Sequence, residues 1–162
     1  MTNRINTTVI IDGANFYATI QNLGFRVDYK RMRDFLNEEW EMPRIMYITA
    51  YKVEDDGRIK LRSILDWLSY NGYQIIQKEA KVMRDSHTGE VKKIKGNMDI
   101  EIAVKAMEAA DHAANVVLFT GDGDFTYLVE ALQRKGVRVT VCNFIGINNP
   151  RVPSICLLNN LF

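Results

Sequence analysis

Residues that bind soft metals are scarce in this chain. Its 162 residues include only two histidines and two cysteines. His87 and His112 stand apart and read as surface residues, so no imidazole ligand set is available. Cys142 and Cys156 have neither CxxC spacing nor a neighbouring histidine pair. They read as thiols of a protein kept in a reducing, cytoplasmic compartment. No apolar run approaches the roughly 18 residues of a membrane span, so none is expected. The opening stretch, "MTNRINTTVIIDG", lacks the apolar segment of a secretory signal. No internal repeat or low-complexity tract is present. A surplus of either charge is also missing. Lys and Arg number 21 against 20 Asp and Glu, a net charge of +1. The field of the whole molecule therefore does not attract polyanions, and any nucleic-acid binding must come from a local patch.

What is present suits a soluble globular domain, with 47% apolar and 25% charged residues. The length predicts one domain over residues 1–162, with a core over about 5–144 and a short tail, 145–162. Short β-branched runs alternate with amphipathic stretches. "TTVIID" (7–12), "RIMYITAY" (44–51), "YQIIQKEA" (73–80), "NVVLFT" (115–120) and "VRVTVCNF" (137–144) read as strands. A first helix carries Phe16, Ile20 and Leu23 and stops at Gly24; a second begins near Asp28. A third over 58–71 places Leu61, Ile64, Leu65 and Leu68 on one face. A fourth, from Asp99, is expected to turn Ile100, Ala103, Val104 and Met107 inward, and a fifth carries Phe125, Leu128, Val129 and Leu132. Residues 81–96 read as a hairpin turning at "DSHTGE". The alternation predicts an α/β fold, a Rossmann-like three-layer α/β/α sandwich around a mostly parallel sheet.

In such sheets ligands bind beyond the carboxyl ends of the strands. That rule gathers the acidic residues. Asp12 ends the first strand, and Asp122 and Asp124 follow the fourth in "TGDGDF". Asp99 opens a helix. Each also has an ordinary structural reading: Asp12 as a helix cap with Asn15 bonding a turn amide, Asp99 as a favourable charge in a first helical turn. Glu101 reads as solvated. One cap does not need two aspartates, however, and Gly121 and Gly123 suggest a backbone crowded near a ligand. Thr120 adds a hydroxyl at the same edge. Converging carboxylates repel unless a cation compensates. An all-oxygen set suits Mg²⁺ or Mn²⁺, and such an ion suits phosphodiester hydrolysis.

"VIIDGANFY", "KGNMDIEIAVKAM" and "VVLFTGDGDFTYLVEALQRKGVRVTV" resemble the three motif blocks of NYN-domain proteins, the LabA-like branch in particular. The resemblance covers roughly residues 5–144. It implies a PIN-like fold and a metal-dependent ribonuclease. It also implies that Asp12, Asp99, Asp122 and Asp124 hold the metal and act in catalysis, with Asn15 in support. The tail, "NNPRVPSICLLNNLF", departs from the family pattern, which continues into a helix with an "AD-F" type signature.

An RNA substrate would need a cationic surface. Six basic residues (Lys78, Lys81, Arg84, Lys92, Lys93, Lys95) lie between positions 78 and 95 with three acidic ones, a balance of +3. Lys92, Lys93 and especially Lys95, four residues before Asp99, are the expected phosphate contacts. Tyr17 is a candidate for stacking on a base, whereas Phe16 reads as core. The leading expectation is a ribonuclease. The alternatives are a non-catalytic metal-dependent module binding RNA or protein, and a small-molecule phosphatase or phosphotransferase. A transfer enzyme would want its DxD pair on the first strand, which offers only "DGAN". The apolar tail residues Ile155, Leu157, Leu158, Leu161 and Phe162 leave a homodimer open.

Overall fold

The computed structural model describes residues 6–24, 26–143 and 157–159. The elements run β1 (Thr7–Asp12), α1 (Gly13–Leu23), α2 (Tyr29–Glu39), β2 (Arg44–Tyr51), α3 (Arg62–Tyr70) and β3 (Tyr73–Glu79). After these come β4 (Lys81–Arg84), β5 (Val91–Lys95), α4 (Asp99–Ala109), β6 (Asn115–Phe119), a 3₁₀ turn (Gly123–Phe125), α5 (Thr126–Arg134), β7 (Arg138–Asn143) and β8 (Leu157–Asn159). Five parallel strands form the sheet in the order β3-β2-β1-β6-β7. β8 adds an antiparallel edge beside β7. The chain therefore builds outward from β1 in one direction and, after β3, returns to build in the other. The reversal between β1 and β6 is the switch point at which open α/β sheets bind ligands.

The sheet is covered on both faces, which is why its central strands are buried throughout rather than alternating. Every residue of β1 and β6 is buried. On one face Val9, Ile11, Tyr47 and Phe119 pack under α1, α2 and α3. On the other Ile10, Ile48 and Leu118 pack under α4 and α5. Local signals set the helix ends. Asp28 caps α2, accepting from the amides of Lys30 and Arg31, and Gly24 ends α1 in the left-handed conformation at φ 69°.

Two helices differ from expectation. α3 starts at Arg62 rather than 58, because Ile59 is held in a bridge to Val53 and Leu61 takes the cap position. In α4 the buried face is Ile102, Ala106 and Ala109, continuing the line from Met98. Ala103 and Met107 are half-buried, while Ile100 and Val104, expected inward, are 76% and 48% exposed. Ala106 and Ala109 let the helix approach the sheet closely beside Ile102, and Ile100 and Val104 fall off that face. In contrast, all four expected residues of α5 are buried.

Two glycines sit at close approaches between elements. A Cβ on Gly13 would lie 2.7 Å from Tyr47 Cε1, 2.8 Å from Thr49 Cβ and 3.0 Å from the Ile48 carbonyl oxygen. A Cβ on Gly96 would lie 3.0 Å from that of Ala50 and 3.1 Å from that of Ala80. The first lets α1 start directly against β2. The second tucks the base of the hairpin against the ends of β2 and β3. Gly123, by contrast, has open space around its Cβ position, so crowding by the protein is not its reason. Buried Cys142 lies in β7, and Cys156 lies outside the described residues. Most of the apolar tail does too. No helix among the described residues is long and apolar enough to cross a membrane.

Candidate active site

Asp12 is the centre of the site. It follows Ile10 by two residues, so it faces the α4 and α5 side of the sheet, and it is only 8% exposed. Two neighbours hold it. One oxygen accepts from the amide of Asn15 at 3.1 Å, which caps α1. The other accepts from the hydroxyl of Thr120 at 3.2 Å, across the switch point from the end of β6. The same Thr120 oxygen accepts the Asp122 amide at 3.2 Å. Asn15 closes the ring from the other side, its Oδ1 accepting the Gly121 amide at 2.9 Å. The expected cap and turn contacts of Asp12 and Asn15 are thus present, and the same contacts join β1 to the loop after β6.

The electrostatics show which carboxylates share this edge. Burial pushes the Asp12 carboxyl above its ordinary value. The Asn15 and Thr120 bonds oppose that rise, and the nearby charges of Asp99 and Asp122 add to it. Asp99 arrives on the first turn of α4, and Asp122 on the loop into α5, both on the face to which Asp12 points. Each is half-buried and engaged locally. Asp99 accepts from Asn97 Nδ2 at 2.6 Å, and Asp122 accepts from the Asp124 amide at 2.9 Å. Asp124 is exposed and is not among the charges that raise Asp12. The charges of Asp99 and Asp122 thus reach Asp12, while Asp124 lies exposed at the rim. Among the described residues no three His, Cys, Asp or Glu side chains are arranged to hold a metal ion. The oxygen-only chemistry of the cluster nonetheless fits a hard divalent cation, which would relieve the repulsion at Asp12.

Glu101 is not simply solvated. It is half-buried and accepts from Lys78 at 2.6 Å, which holds its carboxyl below the ordinary value. Its other oxygen is buried without a hydrogen bond. Lys78 is thereby removed from the basic set, and Arg84 pairs with Asp55 at 2.8 Å. Lys81, Lys92, Lys93 and Lys95 form no ion pair with a described carboxylate. They lie on an exposed hairpin. Lys81 stands directly opposite Lys95, and Met83 opposite Lys93, so three lysines share one face. Like charges directly opposite one another destabilise a hairpin, an arrangement that suits a surface meeting an anion. Tyr17 lies on α1 at 41% exposure, while Phe16 is buried edge-on against Tyr47 and Phe119. His87 and His112 are exposed.

Two contributors were not singled out from sequence: Gly13, which seats α1, and Asn97, which donates to Asp99. Asn97 had a local signal, since an asparagine two residues before a helical aspartate commonly forms an Asx-type bond. The need for glycine at 13 depends on Tyr47 and Thr49 and had no local signal.

A parallel α/β/α sandwich with acidic residues at its switch point defines a PIN-like α/β domain. Comparison with known proteins agrees: residues 6–156 match the NYN domain. The chain belongs to the NYN-domain family, a PIN-like nuclease family. It is 29% identical over 141 residues to the low amplitude and bright protein LabA of Synechococcus elongatus, covering 86% of this chain and 74% of that protein. A crystal structure of a protein of unknown function from Vibrio parahaemolyticus superposes with a TM-score of 0.65 at 24% identity, covering 88% of this chain and 83% of that one. That likeness concerns the fold.

Proposed function

We propose that this protein is a divalent-metal-dependent ribonuclease that hydrolyses RNA phosphodiester bonds. One observation carries the reading: a buried aspartate at the switch point of the sheet, raised by burial and by two neighbouring carboxylates. Asp12, Asp99 and Asp122 would hold Mg²⁺ or Mn²⁺, with Asp124 joining from the rim. When bound, the ion supplies charge neutralisation at the phosphate and a more acidic water. The chain's own residues do the rest. Thr120 and Asn15 fix the Asp12 carboxylate between β1 and the loop after β6. Lys81, Lys93 and Lys95 hold the RNA backbone beside the acidic edge, and Lys92 adds charge at the hairpin's bulge.

A second reading is a module that binds RNA or protein through the same edge without turnover. The exposure of Asp124 and the local hydrogen bonds of Asp99 and Asp122 favour it. Cleavage of a mixed set of labelled RNAs with Mn²⁺ or Mg²⁺ separates the two, comparing wild type with Asp122→Asn. Cutting by wild type that EDTA stops, with a folded but inactive variant, is the expected result. Equal cutting by both refutes this site. Metal-dependent RNA binding without product selects the second reading.

A further inference from the structure

We propose that a pocket between α1, the α1–α2 connection and the start of α3 is a nucleobase subsite, seating one base of the RNA across the sheet edge from the acidic centre. The proposal rests on the ribonuclease reading for its substrate. The pocket has a volume of about 300 Å³. Tyr17, Tyr29 and Tyr47 line it with Ile64, and Gln21 and Arg26 add polar groups.

Its position follows from the topology. α1 begins at Gly13, immediately after Asp12, so Tyr17 stands one turn beyond the aspartate. α3 follows β2, which places its first turn at the same carboxyl edge of the sheet. Tyr47 lies on β2, the neighbour of β1, close enough for the Asp12 charge to help push its hydroxyl up. The pocket lies on the α1–α3 face of the sheet and the acidic cluster on the α4–α5 face, so an RNA strand crossing the carboxyl edge of the sheet between them would reach both.

The chemistry of the lining suits a base. Such a ligand offers two flat faces and an edge of mixed donors and acceptors. Exposed Tyr17 supplies a stacking face. Tyr29 and Tyr47 add two hydroxyls to the lining, and their rings meet edge-on with centroids 6.3 Å apart. The Gln21 amide can donate and accept. Arg26 is exposed and pairs with no described carboxylate, so its guanidinium is available to a base edge or a flanking phosphate. The volume lies at the small end for ligand sites, suited to one ring system rather than a stack.

The test is titration of wild-type protein with AMP, GMP, CMP and UMP in EDTA, read by intrinsic fluorescence and by NMR of the tyrosine rings. EDTA makes the readout independent of the metal and of catalysis. At least one nucleotide is expected to bind, and Tyr17→Ala to weaken it about 5- to 150-fold, the loss of one base–aromatic stack. Ile64→Trp, which fills the pocket with an apolar side chain, is expected to abolish binding. In RNA cleavage the Tyr17→Ala loss is expected in KM rather than kcat. Binding of nucleotide without any RNA cleavage would refute the ribonuclease reading and keep the pocket. The proposal is overturned if no nucleotide binds, if Ile64→Trp binds as wild type does, or if ribose 5-phosphate binds as well as any nucleotide.

Discussion

Substituting Gly13→Ala sets two physical effects against each other. Gly13 opens α1 with ordinary negative φ, so its backbone needs no glycine. Helix propensity alone favours alanine there by up to about 1 kcal/mol. The neighbours oppose it. The new methyl would lie 2.7 Å from Tyr47 Cε1 and 2.8 Å from Thr49 Cβ. Neither can yield cheaply. The Tyr47 ring is buried edge-on against Phe16 and Tyr29, Thr49 is buried in β2, and the third contact, at 3.0 Å, is backbone. Overpacking of this kind costs about 1–3 kcal/mol. The steric term wins, leaving a net loss of about 1–2 kcal/mol. At about 2–4 °C per kcal/mol for a chain of this size, Tm should fall by about 2–8 °C. The displaced helix would also pull Asn15 from Gly121 and so lower activity more than stability alone explains. Thermal and urea unfolding measure the first effect, and RNA cleavage on the folded variant the second. An unchanged or raised Tm would refute the steric argument and show that α1 shifts freely.

Three further outcomes are expected. Asp12→Asn should stabilise the metal-free protein at neutral pH. The wild-type carboxyl is raised on folding, so its ionisation opposes folding as pH climbs above the ordinary value of 3.8. In EDTA the variant's advantage should grow with rising pH from about that value and then level off; a pH-independent difference would contradict the burial argument. Thr120→Val removes the one hydroxyl serving both Asp12 and the Asp122 amide and should cost about 1–3 kcal/mol in urea unfolding, with an otherwise similar shape. Lys95→Glu should pair with Lys81 across the hairpin, leaving stability equal or slightly higher, yet weaken RNA binding and reduce its salt slope by about one unit, read by filter binding at several salt concentrations.

What the sequence determined by itself was everything set within a few residues. β-branched runs and 3.6-residue periodicity marked five strands and five helices. Gly24 and Asp28 marked helix ends, and the βα rule put Asp12 and Asp122 at one edge. These are local, because backbone preference and capping are decided by nearest neighbours. The tertiary structure decided what depends on approach between distant segments. It paired β1 with β6, so that Thr120 reaches an aspartate 108 positions away. It chose the Ile102, Ala106 and Ala109 face of α4 over Ile100 and Val104, a choice made by packing against the sheet. It engaged Lys78 with Glu101 and left Asp124 at the rim, although both looked equivalent to their neighbours in sequence. Gly13 and the tyrosine pocket belong to the same class. Their meaning comes from side chains on other elements, and no spacing along the chain encodes that contact.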